Sequence, residues 1–212
     1  MHILLTDLLS CPRCGPEFGL ILRGDRIEDR RVHAGVLGCP NCREGYPIEE
    51  GFADLRSPPR PPLPPVVESP WAEEDEDEVL RIAALLGVKE GPGHLVLVGP
   101  SARAAPALAR MLERIEVVAM APDLRVWGEE AGVSRMVAGP GLPFFSRRIR
   151  GVLLDGEAGA PYLDEALRVV GPGSRLAVLR PNEAAADRIR EAGLELVLDQ
   201  EPEAMVAERT SR

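Results

Sequence analysis

The chain has 212 residues, is 45% hydrophobic, and carries 25 basic and 34 acidic side chains for a net charge of −9, a balance that suits one ordinary globular domain plus a small one. The acidic excess runs through both parts, with 7 basic against 9 acidic groups in residues 1–56 and 18 against 25 in residues 57–212, so nucleic acid is disfavoured as a partner. No apolar run reaches the roughly 18 residues a membrane helix needs, and MHILLTDLLSCPRC lacks the basic n-region and long apolar core of a secretory signal. The expectation is a cytoplasmic protein with no membrane contact.

Residues 1–56 read as a first unit. Cysteines stand at 11, 14, 39 and 42, as CPRC and CPNC. Two C-x-x-C pairs at that spacing are a zinc-ribbon pattern, and four thiolates leave no open ligand position, so the metal is expected to be structural. Cys11, Cys14, Cys39 and Cys42 are the candidate ligands, and His33 between the pairs reads as a surface residue. FGLILR, residues 18–23, reads as a strand, Gly24-Asp25 as a hairpin turn, and Val36-Leu37 as part of a second strand. So small a unit buries little apolar surface, and the metal is expected to supply much of its folding energy.

Residues 57–70, SPPRPPLPPVVESP, hold 7 of the 21 prolines. Such a stretch favours extended polyproline geometry and reads as a semi-rigid linker. It divides a ribbon, residues 1–56, from an α/β domain, residues 71–212. Ser69 and Pro70 offer a helix start, and the acidic run Glu73 to Glu78 suits a helix N-terminus. Val79, Ile82, Ala83 and Leu86 recur at helical spacing.

Strands are predicted at 94–98, 115–119, 134–138, 151–154, 175–179, 194–198 and 204–208, and helices at 102–113, 124–131, 161–170 and 182–192. The first five strands are short and mostly apolar, as in a sheet covered on both faces. This pattern predicts a doubly wound, mainly parallel sheet. Only Asp199 to Glu203 separate the last two strands, too few for a parallel crossover, so they should form an antiparallel hairpin.

Several stretches resemble class I S-adenosylmethionine (SAM)-dependent methyltransferases: ALLGVKEGPGHLVLVG, GLPFFSRRIRGVLLDGE, EALRVVGPGSRLAVLRP and AGLELVLDQEPEAMVAER, in that order over about residues 78–209. The resemblance implies a Rossmann-like sheet of five parallel strands closed by a C-terminal antiparallel hairpin. DLLSCPRC and CPNCREGYPIEEGFADL resemble the small zinc-ribbon proteins that bind and activate RNA- and protein-modifying methyltransferases. That second resemblance implies a structural zinc ion and a ribbon that meets a protein partner.

Ligands of doubly wound folds bind beyond the C-terminal ends of the strands, at the switch point. The family's "VGCGTG" aligns with residues 98–103, where Gly99 alone of the three glycines remains. Its ribose-binding acid aligns near Ala121, with Asp123 two residues on. The resemblance therefore implies Gly99, Ser101, Asp123 and Asp155 as candidate SAM-binding residues. Ser101 also reads as a helix N-cap, and Arg103 as a residue that fills the pocket or pairs with Asp155. No general base stands out. Two functions follow: a SAM-dependent methyltransferase-like protein, or a catalytically inactive methyltransferase fold acting as a partner-binding or regulatory module.

Overall fold

The computed structural model describes residues 1–63, 65, 75–200 and 202–211; the predicted helix start at Ser69 and Pro70 lies outside them. In the ribbon, β1 (Ser10–Cys11) pairs with β2 (Gly15–Gly19), and β3 (Ile21–Glu28), β4 (Arg31–Gly38), β5 (Gly45–Glu49) and β6 (Phe52–Leu55) follow as an antiparallel meander. The hairpin turn is not at Gly24-Asp25, as the sequence suggests. It falls at Asp29-Arg30, both with positive φ (46° and 63°), as a two-residue hairpin loop requires. Gly24 instead faces Gly35 across the β3–β4 pair. A Cβ on Gly35 would stand 2.6 Å from the Arg23 carbonyl, so the glycines allow close strand approach within the ladder.

The second part opens with α1 (Glu76–Leu86). Its N-cap is Asp75, whose side chain accepts from the N–H groups of Asp77 and Glu78, and Glu76, Asp77 and Glu78 fill the first turn where the helix dipole favours acids. Gly87 ends it in the left-handed region, φ 64°. There follow β7 (Gly93–Val98), α2 (Ala105–Met111), β8 (Ile115–Met120), β9 (Val133–Ala138), β10 (Ile149–Asp155), α3 (Gly156–Gly159), α4 (Leu163–Val169), β11 (Val170–Leu179), α5 (Ala185–Glu191), β12 (Glu195–Gln200) and β13 (Ala204–Glu208).

The large sheet runs β12-β13-β11-β10-β7-β8-β9-β6-β5-β4-β3. From β9 to β11 all neighbours are parallel, and β13 is antiparallel to both β11 and β12. This is the expected α/β, Rossmann-like arrangement, parallel strands closed by an antiparallel hairpin. Its strand count exceeds the expected one because β6 joins β9 in parallel, Phe52 across from Arg135 and Leu55 across from Ala138. Eleven strands therefore run through ribbon and α/β part alike. One apolar cluster follows the same continuity, from Leu5, Leu9 and Tyr46 to Phe144, Val152 and Leu176. Among the described residues no helix is long and apolar enough to cross a membrane.

The predicted helix at 124–131 does not form. A 3-10 turn spans Pro122–Val126, and the carbonyls of Leu124 and Trp127 turn instead to the guanidinium of Arg135. A buried cation thus takes the acceptors that a longer helix would have used.

Candidate functional site

The two cysteine knuckles meet at the ends of β1 and β4. Cys11 closes β1, and Cys39 follows β4 directly. The Cys14 N–H points to Cys11 Sγ at 3.4 Å, and Asn41 Nδ2 donates to Cys14 Sγ at 3.3 Å. All four sulfurs lie within 4.8 Å of one another, with Cys11–Cys42 at 3.7 Å and Cys14–Cys39 at 3.8 Å. A tetrahedron with Zn–S bonds of about 2.3 Å has sulfur–sulfur edges of about 3.8 Å, so the donor set fits zinc in number, chemistry and spacing. Burial pushes the Cys11 thiol up, but hydrogen bonds from the Tyr46 hydroxyl and nearby backbone N–H groups outweigh it and bring the thiol down to about 7. His33 stands apart from this cluster, its Nδ1 2.7 Å from Glu129 Oε1.

At the C-terminal ends of β7, β8 and β9 lies a pocket of about 740 Å³, within the range of small-molecule sites. Gly99 enters it at φ 90° and ψ −152°. A Cβ there would stand 2.9 Å from the Asp155 carbonyl and 3.1 Å from Ala158 Cβ. Glycine is thus required where β7 turns beside β10. Met120, Ala121, Leu124, Val137 and Ala138 give the pocket apolar walls. Asp123 and Arg103 stand on its lining, joined at 3.2 Å. Arg103 also lies 5.4 Å over the Trp127 ring. Its partner is therefore Asp123, where Asp155 was one expectation. Tyr162 lines the same space and donates its hydroxyl to the Ala138 carbonyl at 3.1 Å.

Ser101 and Asp155 lie together behind the Gly99 turn. The Asp155 carboxylate, 3% exposed, accepts the Ser101 N–H at 2.9 Å and the Ser101 hydroxyl at 2.6 Å. Arg180, just past β11, holds the other oxygen. Ser101 caps no helix, since its hydroxyl serves Asp155. These two residues and Arg180 line a neighbouring cleft of about 700 Å³, which shares Pro100 and Arg103 with the first pocket. The four sequence candidates thus separate: Gly99 and Asp123 line the apolar pocket, while Ser101 and Asp155 brace the turn from the other side.

Three groups here have little voice in the sequence. Arg135 is 3% exposed and pins the Leu124–Trp127 turn to the ribbon carbonyl of Glu50. An arginine inside the apolar run VSRMVA was its only sequence signal. Arg180 follows a strand with a positive φ of 49°, and nothing local announces it. Arg56 reaches the pocket from the linker side, across a separation in sequence that no motif spans.

No protein-family model matches the sequence, and no curated protein matches it. Solved methyltransferase structures are similar to the chain. A SAM-dependent O-methyltransferase from Thermotoga maritima is 16% identical over 84% of this chain and 78% of its own, with a TM-score of 0.46. A chain of the complex between the Haloferax volcanii Trm112 methyltransferase activator and the putative methyltransferase is 14% identical over 64% of this chain and 91% of its own, with a TM-score of 0.46. A geranyl diphosphate methyltransferase in complex with SAM is 12% identical over 64% of this chain and 86% of its own, with a TM-score of 0.48.

Proposed function

We propose that this chain is a SAM-binding protein of methyltransferase type, built from a zinc ribbon (residues 1–56), a proline-rich linker (57–70) and an α/β domain (71–212). The observation that carries the reading is the pocket of about 740 Å³ at the strand ends, entered by Gly99 and lined by Asp123. Its apolar walls at Met120, Ala121, Leu124 and Val137 suit an adenine ring. The Asp123 carboxylate suits ribose hydroxyls, in the role an acid near the second strand takes in doubly wound folds. Gly99 lets the backbone approach the ligand closely. Ser101 and Asp155 act indirectly, by fixing the turn that carries Gly99.

Bound SAM supplies an electrophilic methyl group on a cationic sulfonium. The residues here bind and orient, and positioning by itself supplies much of the rate of such a displacement. One structural zinc ion holds Cys11, Cys14, Cys39 and Cys42, and reduced thiols suit a cytoplasmic protein. The ribbon's partner on this reading is the chain's own α/β domain.

Calorimetric titration with SAM and S-adenosylhomocysteine tests the proposal. Binding tighter than about 100 μM, or roughly −5.5 kcal/mol, with weaker binding by Asp123→Ala, supports it. Silence at millimolar ligand overturns it and leaves the inactive, partner-binding fold as the reading.

A further inference from the structure

Part of the pocket wall comes from outside the α/β sheet. Pro61, Pro62 and Leu63 line it together with Gly99 and Asp123. Proline fixes φ and removes the backbone donor, so a proline-rich strap cannot be pinned by a sheet ladder and behaves as a semi-rigid rod. Where such a rod points is decided at its base.

Two arginines fix that base. Arg56 grips the Asp54 carboxylate through Nε at 2.9 Å and Nη2 at 2.7 Å, and its Nη1 donates to the Pro61 carbonyl at 2.7 Å. Arg60 donates to the Arg56 carbonyl at 2.6 Å, the Gly45 carbonyl at 2.9 Å and Glu44 Oε1 at 3.3 Å. Its guanidinium lies 5.1 Å over the ring of Tyr46, a fully buried side chain whose hydroxyl is 3.5 Å from Cys11 Sγ. Glu44 and Gly45 come directly after the second cysteine knuckle. One guanidinium therefore joins the knuckle, the ring packed beneath it and the start of the strap.

We infer that Arg60 is a positioning residue for the ligand pocket: it clamps the proline strap to the second cysteine knuckle and so sets where Pro61 to Leu63 close the pocket wall. The inference rests on the reading that SAM occupies this pocket. Arg60 itself is not on the pocket lining. Lysine would keep the charge and lose the fork that reaches two carbonyls at once.

The test compares the full-length wild type with Arg60→Ala and Arg60→Lys, using one measurement with ligand and one without. Trypsin cleavage of the Arg56–Ser57 bond, followed by mass spectrometry, reports release of the strap in the absence of ligand, because proteolysis tracks the population of the open form. The Arg60–Pro61 bond resists trypsin and does not confuse the reading. Arg60→Ala should be cut severalfold faster after Arg56 at unchanged metal content and thermal midpoint, and should bind SAM about tenfold more weakly. Arg60→Lys should fall between. An unchanged cleavage rate overturns the inference, and so does faster cleavage with unaltered SAM affinity. A wild type that fails to bind SAM overturns the functional reading, and the clamp is then decided by the cleavage rate.

Discussion

Asp155 takes both the backbone N–H of Ser101, at 2.9 Å, and its hydroxyl, at 2.6 Å. Two donors from one residue converge on a buried carboxylate that Arg180 also holds. Removing the hydroxyl leaves the carboxylate one donor short. Ser101→Ala should therefore cost about 1.5–3 kcal/mol, the worth of a hydrogen bond to a charged group, in urea unfolding. If stability is unchanged while SAM affinity collapses, Ser101 faces the ligand and does not brace the turn.

Gly99→Ala is expected to be worse than its size suggests. The backbone sits at φ 90°, and the new Cβ would meet the Asp155 carbonyl at 2.9 Å. Backbone strain of this kind costs about 1–3 kcal/mol. The shift needed to relieve it would move the pocket entrance, so SAM binding should be lost in a chain that still unfolds cooperatively. Calorimetry and a denaturant melt on the same preparation separate the two effects.

The cysteine centre should hold one zinc per chain, measured by elemental analysis of protein purified without chelator. Metal binding to such a unit is folding free energy. Cys39→Ser, or a strong chelator, should unmask the thiols and reduce the β signal in circular dichroism. Thiols that react freely in the metal-loaded protein would contradict the tetrathiolate assignment.

Arg135 is a buried link between the ribbon and the pocket-lining turn. Arg135→Met keeps the length and loses the donors, leaving the carbonyls of Glu50, Leu124 and Trp127 without them. A loss of at least about 2 kcal/mol is expected. Faster amide exchange in residues 122–128 should accompany it, and a stability equal to wild type would show that water replaces the guanidinium at little cost.

Acid should weaken the fold through His94. Burial lowers its pKa below the usual 6.5, with Glu116 opposing and His2 reinforcing the shift. The unfolded chain then takes up a proton that the folded chain refuses. The stability present above pH 6.5 is lost as pH falls through the lowered folded value. Urea midpoints at about pH 7.5 and about pH 5 should differ more in the wild type than in His94→Gln. Equal differences in the two proteins would remove His94 from the account.

The strands of the α/β part were legible because burial on both faces leaves short apolar runs, and β7 to β11 all lie near their predicted positions. The clustering of Cys11, Cys14, Cys39 and Cys42 was legible because paired C-x-x-C spacing brings four thiols within reach of one ion. The 124–131 segment misled because its apolar spacing is helical while its carbonyls answer to Arg135, distant in sequence. The Gly24-Asp25 dipeptide misled because glycine serves close approach as well as turns, and only the pairing with Gly35 tells which. On the pocket lining, Gly99 was placed by its position at the end of a strand, and Asp123 by the family resemblance alone. The engagement of Ser101 with Asp155, and the arrival of Pro61 to Leu63 at the pocket, depend on three-dimensional neighbours that spacing does not encode.

The parallel pairing of β6 with β9 carries one more consequence. All six residues of β9 are buried, a composition suited to the middle of a sheet. Cut before residue 57, the chain would present that strand as an open margin with a free row of backbone donors and acceptors, the template on which sheets from other copies assemble. The ribbon's outermost strand, β3, meets solvent differently: a register shift interrupts it, and Arg23, Asp25, Arg26 and Glu28 line it with charge. By extending the sheet past β9, the ribbon covers that margin and moves the sheet's border to β3, where charged side chains are interspersed with the exposed Ile21 and Ile27.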